Sequence, residues 1–212
     1  LHPYMNTRYM YPKYTYKVAA TLIGKDSILL REAIKLHTAA LALTQLKEAL
    51  SKGEDLTKPL ENCLKSSIPI RVLASAIGDH WKQAVKALKQ LKEHKAKASA
   101  LAAALLASHG NLKEAADELK KGYQETRDPI LLLNLGRILA YQGKLDEAAE
   151  AFREASRLLG LAAKLEYITL LIELGLKKRA AREIRRVMRQ LSEGSILKED
   201  LKSLYSYTRA ST

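Results

Sequence analysis

The chain has 212 residues and a formal net charge of +13, and it contains only 10 Gly and 5 Pro. Good helix formers dominate the composition, which disfavours a β-sandwich, a Rossmann fold and a disordered chain. One cysteine excludes an internal disulfide framework and fits a reducing, cytoplasmic location.

Neither a membrane segment nor a secretory segment is expected. The longest run of low charge, residues 98–108, has about half of the ~20 apolar residues that a spanning helix needs, so no membrane partner is predicted. The first residues lack a charged stretch followed by an apolar core, so a secretory signal is not predicted either.

Residues 1–24 are predicted to form an extended, Tyr-rich basic arm. They hold five of the ten tyrosines, three basic residues and no acidic residue. Apolar and polar residues alternate over 13–18, which predicts a short strand, and Pro3 and Pro12 exclude a helix through the region. Three roles stay open for the arm: packing on its own chain, docking on a partner protein, or stacking on nucleic-acid bases.

A helical hairpin is predicted next, over residues 25–67. Ser27 can cap a long helix over 27–51, which Gly53 ends. A short helix follows over 58–65, with Pro59 in the first turn, where proline is tolerated.

From about residue 68 onward the sequence repeats. Three segments align, Gly110–Ala115, Gly143–Ala148 and Gly175–Ala180, and their glycines are 33 and 32 residues apart. A weaker copy begins at Gly78 and needs one extra residue to align Ala84. This period is the signature of a helical solenoid in which each repeat is one helical hairpin. Glycine is favoured at the turn because the chain leaves the helix there with a positive φ.

The copy over Pro129–Leu159 has the signature spacing of a known family. The residues that carry it are Leu132, Leu135, Gly136, Leu139, Gly143, Ala148, Phe152 and Ala155. With these residues, and with Asp128-Pro129 at the repeat boundary, the chain resembles the tetratricopeptide repeat family over about residues 68–192. The resemblance implies an all-α, right-handed solenoid of stacked antiparallel helical hairpins, in which first helices line a concave groove.

The C-terminal segment, residues 193–212, is expected to cap the stack and end in a tail. The inner side of a capping helix over 195–207 is predicted to carry Ile196, Leu197, Leu201 and Leu204. Residues 80–108 contain no clear breaker, so they form either two helices or one long helix with a kink near 95–99.

No catalytic, cofactor-binding or metal-ligating set is predicted, and the chain is expected not to be an enzyme. The five histidines have no His or Cys partner at metal-ligand spacing, and no glycine-rich phosphate loop occurs. His109 is predicted to stabilise the end of a helix before the Gly110 turn, and Cys63 to be buried on an apolar helix face.

The resemblance also implies which residues line the groove. It assigns Ala100 and Ala104 in one unit, Leu133, Asn134, Arg137 and Tyr141 in the next, and Leu165, Glu166, Thr169 and Glu173 in the last. The candidate partner-binding groove consists of Leu133, Asn134, Arg137, Tyr141 and Thr169.

Two predicted helices carry an excess of positive charge. Residues 67–95 and 161–194 each have a net charge of +4. In the second stretch, an apolar stripe of Ala180, Ile184, Val187 and Leu191 lies opposite a basic ridge. The candidate anion-binding ridge consists of Lys178, Arg182, Arg185, Arg186 and Arg189. Such a ridge is either a solvated helix face or a surface that contacts phosphate or carboxylate groups.

Two functions remain open. The leading hypothesis is a non-enzymatic scaffold that binds a protein or peptide in the groove, because a preorganised surface loses little entropy on binding. The alternative is a nucleic-acid-associated helical-repeat protein that uses the basic ridge and the Tyr-rich arm. Homo-oligomers would form through an alanine-rich helix over 96–107 or through an unfilled groove. Abundant Lys, Glu and Arg with few Asn and Gln are typical of thermophilic proteins.

Overall fold

The fold was determined as a computed structural model, which describes residues 28–66 and 68–209. Every regular element in these two ranges is a helix. The all-α class predicted from the composition is therefore confirmed for this part of the chain. The Tyr-rich arm at 1–24, with the strand predicted inside it, lies outside the described residues.

The α-helices are numbered in chain order. They are α1 (Ile28–Lys52), α2 (Thr57–Lys65), α3 (Ile70–Ile77), α4 (Trp81–Gln90), α5 (Lys95–Ser108), α6 (Leu112–Thr126), α7 (Pro129–Tyr141), α8 (Leu145–Leu159), α9 (Leu161–Glu173), α10 (Lys177–Met188) and α11 (Ile196–Arg209). A 3-10 helix, Gly78–His80, precedes α4. The chain divides into two compact units at Ala87 and Leu88, inside α4.

The first unit is built on the long helix α1. This helix packs against α2 and α3, and Leu46, Leu60 and Leu73 from the three helices are fully buried. The carboxylate of Asp55 accepts a hydrogen bond from the backbone N–H of Thr57 at 3.2 Å and so fixes the start of α2. The bounds of α1 and α2 agree with the predicted helices 27–51 and 58–65 to within one residue.

The second unit is a succession of helices in which each packs on the next, from α5 to α11. Helix α5 also packs on α7, so the first helices of two successive hairpins touch. The alanines of α5 are largely buried within the chain, among them Ala98, Ala100, Ala102 and Ala103. These small residues therefore serve packing inside the chain, and self-association through this alanine-rich helix stays a prediction.

The turns inside three hairpins are closed by the same hydrogen bonds. At each turn the N–H that follows the glycine donates to a carbonyl five residues earlier, from Asn111 to Leu106 (2.9 Å), from Lys144 to Leu139 (2.9 Å) and from Leu176 to Leu171 (2.8 Å). The turn glycines Gly110, Gly143 and Gly175 have φ values of +80°, +78° and +71°. The predicted repeat is thus confirmed at the level of its turns.

The fourth copy, at Gly78, has a different turn. Gly78 also has a positive φ, +51°, but the 3-10 helix starts at this residue and α4 begins three residues after the glycine rather than two. The extra residue required by the sequence alignment therefore falls in the 3-10 helix. Ala84 is fully buried, as its alignment with the other repeats predicts.

Of the two alternatives for residues 80–108, two helices are observed rather than one long helix with a kink near 95–99. Helix α4 ends at Gln90 and α5 begins at Lys95. His94 between them has a left-handed φ of +54°, which a continuous right-handed helix does not include. Neither glycine nor proline marks this break, which is why the sequence pattern left both alternatives open.

Small residues at the signature positions allow the helices to approach closely. A Cβ atom on Gly136 would lie 2.6 Å from the ring of Phe152, and one on Gly122 would lie 2.6 Å from the Ser99 hydroxyl. That hydroxyl donates to the buried carboxylate of Glu118 at 2.9 Å. Every signature residue of the repeat over 129–159 is buried except the turn glycine, Gly143.

The C-terminal helix α11 covers the end of the second unit. Leu201 is buried in a cluster with Ile168, Ile184 and Val187, and Leu197 and Leu204 pack against it. Ile196, predicted on the same side, is 83% exposed, so that assignment is wrong. The buried Leu201 and the half-buried Leu197 and Leu204 share one side of the helix, and residue 196 is rotated about 100° away from residue 197.

Candidate binding sites

Part of the predicted groove coincides with a cleft between α7 and α9. The cleft has a volume of about 460 Å³. Its lining residues are Arg137, Tyr141, Ala162, Leu165, Glu166, Thr169, Leu170 and Glu173. Of the candidate groove residues, Arg137, Tyr141 and Thr169 therefore meet at one site.

The remaining groove positions lie elsewhere. Leu133 and Asn134 are half-buried on α7 and do not line the cleft. Ala100 on α5 is buried and Ala104 is half-buried, so Ala100 offers no surface to a partner. Helix α5 packs on both α6 and α7, which leaves little of its surface accessible.

An ion pair spans the α7–α9 cleft. The guanidinium of Arg137 on α7 contacts the carboxylate of Glu166 on α9. Because this charge is already compensated, Arg137 is a poor clamp for a peptide carboxylate. Glu173 adds a second carboxylate, so the lining is acidic on balance within a chain of net charge +13.

Tyr141 gives the cleft an exposed aromatic ring. It is the last residue of α7, and 56% of it is accessible to solvent. Leu165 lines the same cleft from α9 and is half-buried. Tyrosine supplies a large contact area at a low cost in conformational entropy, so Tyr141 is the natural anchor of this site.

The predicted basic ridge lies on the exposed side of α10. Its members Lys178, Arg182, Arg185, Arg186 and Arg189 are all exposed. The opposite side is buried through Ala180, Ile184 and Val187. The amphipathic pattern is therefore confirmed for α10, whereas Leu191 follows the helix and is only half-buried.

Neighbouring side chains divide the ridge into two parts. Arg186 donates to both carboxylate oxygens of Glu183 at 2.9 Å, which compensates its charge. Arg185 instead donates to the hydroxyl of Tyr205 on α11, and its guanidinium carbon lies 5.3 Å from the centre of that ring. The hydrogen bond from Arg185 lowers the pKa of Tyr205.

A basic cleft lies on each side of Arg182, which lines both of them. The cleft formed by α8, α9 and α10 has a volume of about 720 Å³, and its charged lining residues are Asp146, Arg153, Lys164, Arg179, Arg182, Glu183 and Arg186. The cleft between α10 and α11 has a volume of about 560 Å³, and it is lined by Lys178, Ala181, Arg182, Arg185, Tyr205, Thr208 and Arg209.

Several of these lining residues are missed by the sequence analysis. The sequence analysis places Tyr205 in the capping helix over 195–207 and Arg209 in the tail after it, although a spacing of four residues on one helix is a signal for contact. Arg153, Lys164 and Arg179 belong to three different helices. Only tertiary packing brings these three cations together, and no local pattern predicts it.

Three further side chains behave as structural groups. Burial raises the pKa of the Cys63 thiol to about 11, and the side chain is fully buried, as predicted. Burial also raises the pKa of Tyr167, whose ring stacks on Phe152 with centroids 4.8 Å apart. His109 donates from Nδ1 to the Leu105 carbonyl at 2.8 Å, which confirms its predicted role at a helix end.

In residues 28–66 and 68–209, no three His, Cys, Asp or Glu side chains are grouped so that they could hold a metal ion. No helix described there combines the length and the apolar character needed to cross a membrane.

The chain was also compared with known proteins. A scan against protein-family models finds no match. A search of curated proteins finds no significant match either. Its function is therefore inferred from the geometry and charge of the clefts.

Proposed function

We propose that this protein is a non-enzymatic interaction scaffold of the tetratricopeptide repeat type, which binds a peptide in the α7–α9 cleft. The observation that carries the proposal is the meeting of Arg137, Tyr141 and Thr169 at one cleft between the first helices of successive hairpins. The three equivalent turns at Gly110, Gly143 and Gly175 support a stack of hairpins, which we infer to be a right-handed solenoid.

The lining suits a peptide that carries an apolar residue beside a basic one. Tyr141 and Leu165 offer apolar contact on opposite sides of the cleft. A lysine or arginine of the peptide would meet the carboxylate of Glu173, and charge-assisted hydrogen bonds of this kind are stronger than neutral ones.

The cleft is formed before any peptide arrives. Its two walls belong to helices whose hairpins are closed by backbone hydrogen bonds, and the Arg137–Glu166 ion pair joins the walls directly. Little conformational entropy is therefore lost on the protein side when a peptide binds.

Selection from a library of random phage-displayed peptides against the full chain tests the proposal. We expect the enriched peptides to carry an apolar residue next to Lys or Arg. Isothermal titration calorimetry should show that Tyr141→Ala lowers the affinity for the best peptide about tenfold. Truncation of an aromatic anchor typically costs more than about 1 kcal/mol of binding free energy.

Leu158→Ala is the matched control for this experiment. Leu158 is 61% exposed on α8 and lines none of the three clefts described above. The affinity of the selected peptide should not change in this variant. Equal losses in Tyr141→Ala and Leu158→Ala, or enrichment of acidic peptides, would contradict the proposal.

A further inference from the structure

The charged residues described in the lining of the cleft between α10 and α11 are all basic. Lys178, Arg182, Arg185 and Arg209 contribute the charges, and none of the described residues that line it is acidic. Like charges collected around one cleft repel each other and attract anions from solution. The cleft therefore has the electrostatics of an anion-binding site.

An aromatic ring contacts two of these cations. Arg185 donates to the Tyr205 hydroxyl, and the guanidinium carbon of Arg209 lies 6.0 Å from the centre of the same ring. A ring orients a guanidinium but leaves its positive charge largely uncompensated. Among the described residues, no carboxylate lies within ion-pair distance of Lys178, Arg182 or Arg185.

Three arginines elsewhere in the same unit pair with carboxylates, whereas Arg127 lies over the ring of Tyr123. Arg137 pairs with Glu166, Arg153 with Glu150 and Arg179 with Asp146. The cleft between α10 and α11 is thus a place where arginine charge is fixed in position and still available to a ligand.

The basic surface is long enough to contact several anionic groups. Lys178, Arg182 and Arg185 recur at helical spacing, and Arg189 extends the row to about 16 Å at 1.5 Å per residue. Arg182 also lines the neighbouring cleft, whose lining includes Arg153 and Lys164. A row of this length fits a polyanion better than a single phosphate group.

An exposed tyrosine on α11 contacts Lys177, the residue that precedes this row, although it does not line the cleft itself. Tyr207 is 55% exposed, and the ammonium group of Lys177 lies 5.0 Å from its ring centre. Proteins that bind single-stranded nucleic acid combine a basic groove for the backbone with aromatic rings on which bases stack. A duplex hides the faces of its bases, so an exposed ring beside the cations favours a single strand.

We propose that the α10–α11 cleft binds single-stranded nucleic acid. Lys178, Arg182 and Arg185 contact the phosphates, and Tyr207 stacks on a base. This site is separate from the α7–α9 cleft, and the proposal does not depend on peptide binding there.

Fluorescence anisotropy with a labelled single-stranded oligothymidylate at near-physiological salt tests this proposal on the full chain. The variant Lys178→Glu/Arg182→Glu should bind more than about tenfold more weakly than the wild type. Its log–log salt slope should be shallower by about 1.4, because each lost contact with a single strand removes about 0.7. Oligouridylate of the same length, run in parallel, distinguishes RNA from DNA as the source of the backbone.

A charge-matched variant controls for the overall charge of the chain. Lys86→Glu/Lys89→Glu lowers the net charge by the same amount, and both lysines are exposed on α4. We expect this variant to lose less than about threefold in affinity. Equal losses in the two double variants would show that net charge alone drives binding, and would overturn the proposal.

Two tyrosines of equal exposure test the stacking contact. Tyr207→Ala should weaken binding of the single strand about tenfold. Tyr141→Ala removes a ring that is 56% exposed at the other cleft, and it should leave the affinity for the single strand unchanged. Equal affinity for a duplex of the same length would overturn the proposal. So would a phosphoserine peptide that binds as tightly as the oligonucleotide and displaces it.

Circular dichroism shows whether the variant Lys178→Glu/Arg182→Glu is still folded. Neither Lys178 nor Arg182 holds α10 on α11 through an ion pair in the described part of the chain, so helix content should persist. If helix content falls, Arg182→Gln replaces the double variant. It should bind about threefold more weakly than the wild type, and wild-type affinity in this folded variant would overturn the proposal.

Discussion

Gly136 lies directly against the ring of Phe152, and no side chain fits between them. A Cβ atom at position 136 would lie 2.6 Å from the ring. The ring is itself held in place, because it is buried and stacks on Tyr167 with centroids 4.8 Å apart. Gly136→Ala should therefore destabilise the protein by about 1–3 kcal/mol in urea unfolding, although alanine favours a helix by about 1 kcal/mol over glycine.

A double-mutant cycle checks the cause of that loss. Phe152→Leu removes the atoms that an added Cβ would meet. In that background, Gly136→Ala should cost less than it does in the wild type, because contacting residues are not additive. Additive losses would show that the glycine is required for another reason.

The burial of the Cys63 thiol can be tested through the dependence of protein stability on pH. Burial raises its pKa from 9.0 to about 11, so the unfolded chain releases the thiol proton at a lower pH than the folded one does. The free energy of unfolding should therefore fall as the pH rises from about 9 to 11. Chemical unfolding should show a smaller fall for Cys63→Ala than for the wild type. Parallel curves for the two proteins would contradict the burial of this thiol.

The sequence predicts the structural roles of some single residues but not of others. The roles of Gly136, Cys63 and His109 follow from local spacing, because a helix turn or an apolar stripe determines each one. The partnership of Arg185 with Tyr205 joins two helices, and no pattern within either helix specifies it.

The hairpin turn is the element that repeats most faithfully. Gly143 has a φ of +78° and is followed by the hydrogen bond from Lys144 to Leu139. A left-handed conformation costs an ordinary residue about 1–2 kcal/mol, and asparagine tolerates it better than most. We expect thermal unfolding to rank stability as wild type, then Gly143→Asn, then Gly143→Ala. A Gly143→Ala variant as stable as the wild type would contradict the turn geometry.

Helix boundaries show where sequence patterns fail at this scale. Glycine marks the turns at 110, 143 and 175, and these were predictable. The break before α5 depends on the left-handed backbone conformation of His94. Histidine seldom adopts this conformation, and no neighbouring residue in the sequence predicts it. Ile196 was misplaced for a related reason, since one residue of rotation moves a side chain about 100° around its helix.

The molecule as a whole should tolerate the loss of one complete repeat. Deletion of residues 110–142 joins His109 to Gly143, so an equivalent turn closes the new hairpin. Neighbouring repeats contact mainly each other in such arrays. We expect the shortened chain to unfold cooperatively on heating, at a lower midpoint than the wild type.

A shorter deletion provides the contrast. Removal of residues 110–126 takes out only α6 and the turn before it, which leaves α5 without the partner of its hairpin. This variant should be less stable than the one that lacks 110–142, although it loses fewer residues. The reverse order would contradict the stack of hairpins that we infer.

At the scale of the molecule, the period of the repeat was predictable but the binding surfaces were only partly so. Arg137, Tyr141 and Thr169 lie at one cleft because the repeat fixes which face of a first helix is exposed. The basic clefts around Arg182 combine side chains from α8 to α11, and their shape depends on how these helices pack.

The most direct test of the central claim is a map of backbone amide shifts in the ¹H–¹⁵N NMR spectrum as the selected peptide is added. If the α7–α9 cleft is the peptide site, the largest shifts will cluster at residues such as Tyr141, Leu165 and Thr169, and they will vanish in Tyr141→Ala. Shifts that cluster around Arg185 and Tyr205, or that persist unchanged in Tyr141→Ala, would contradict the account.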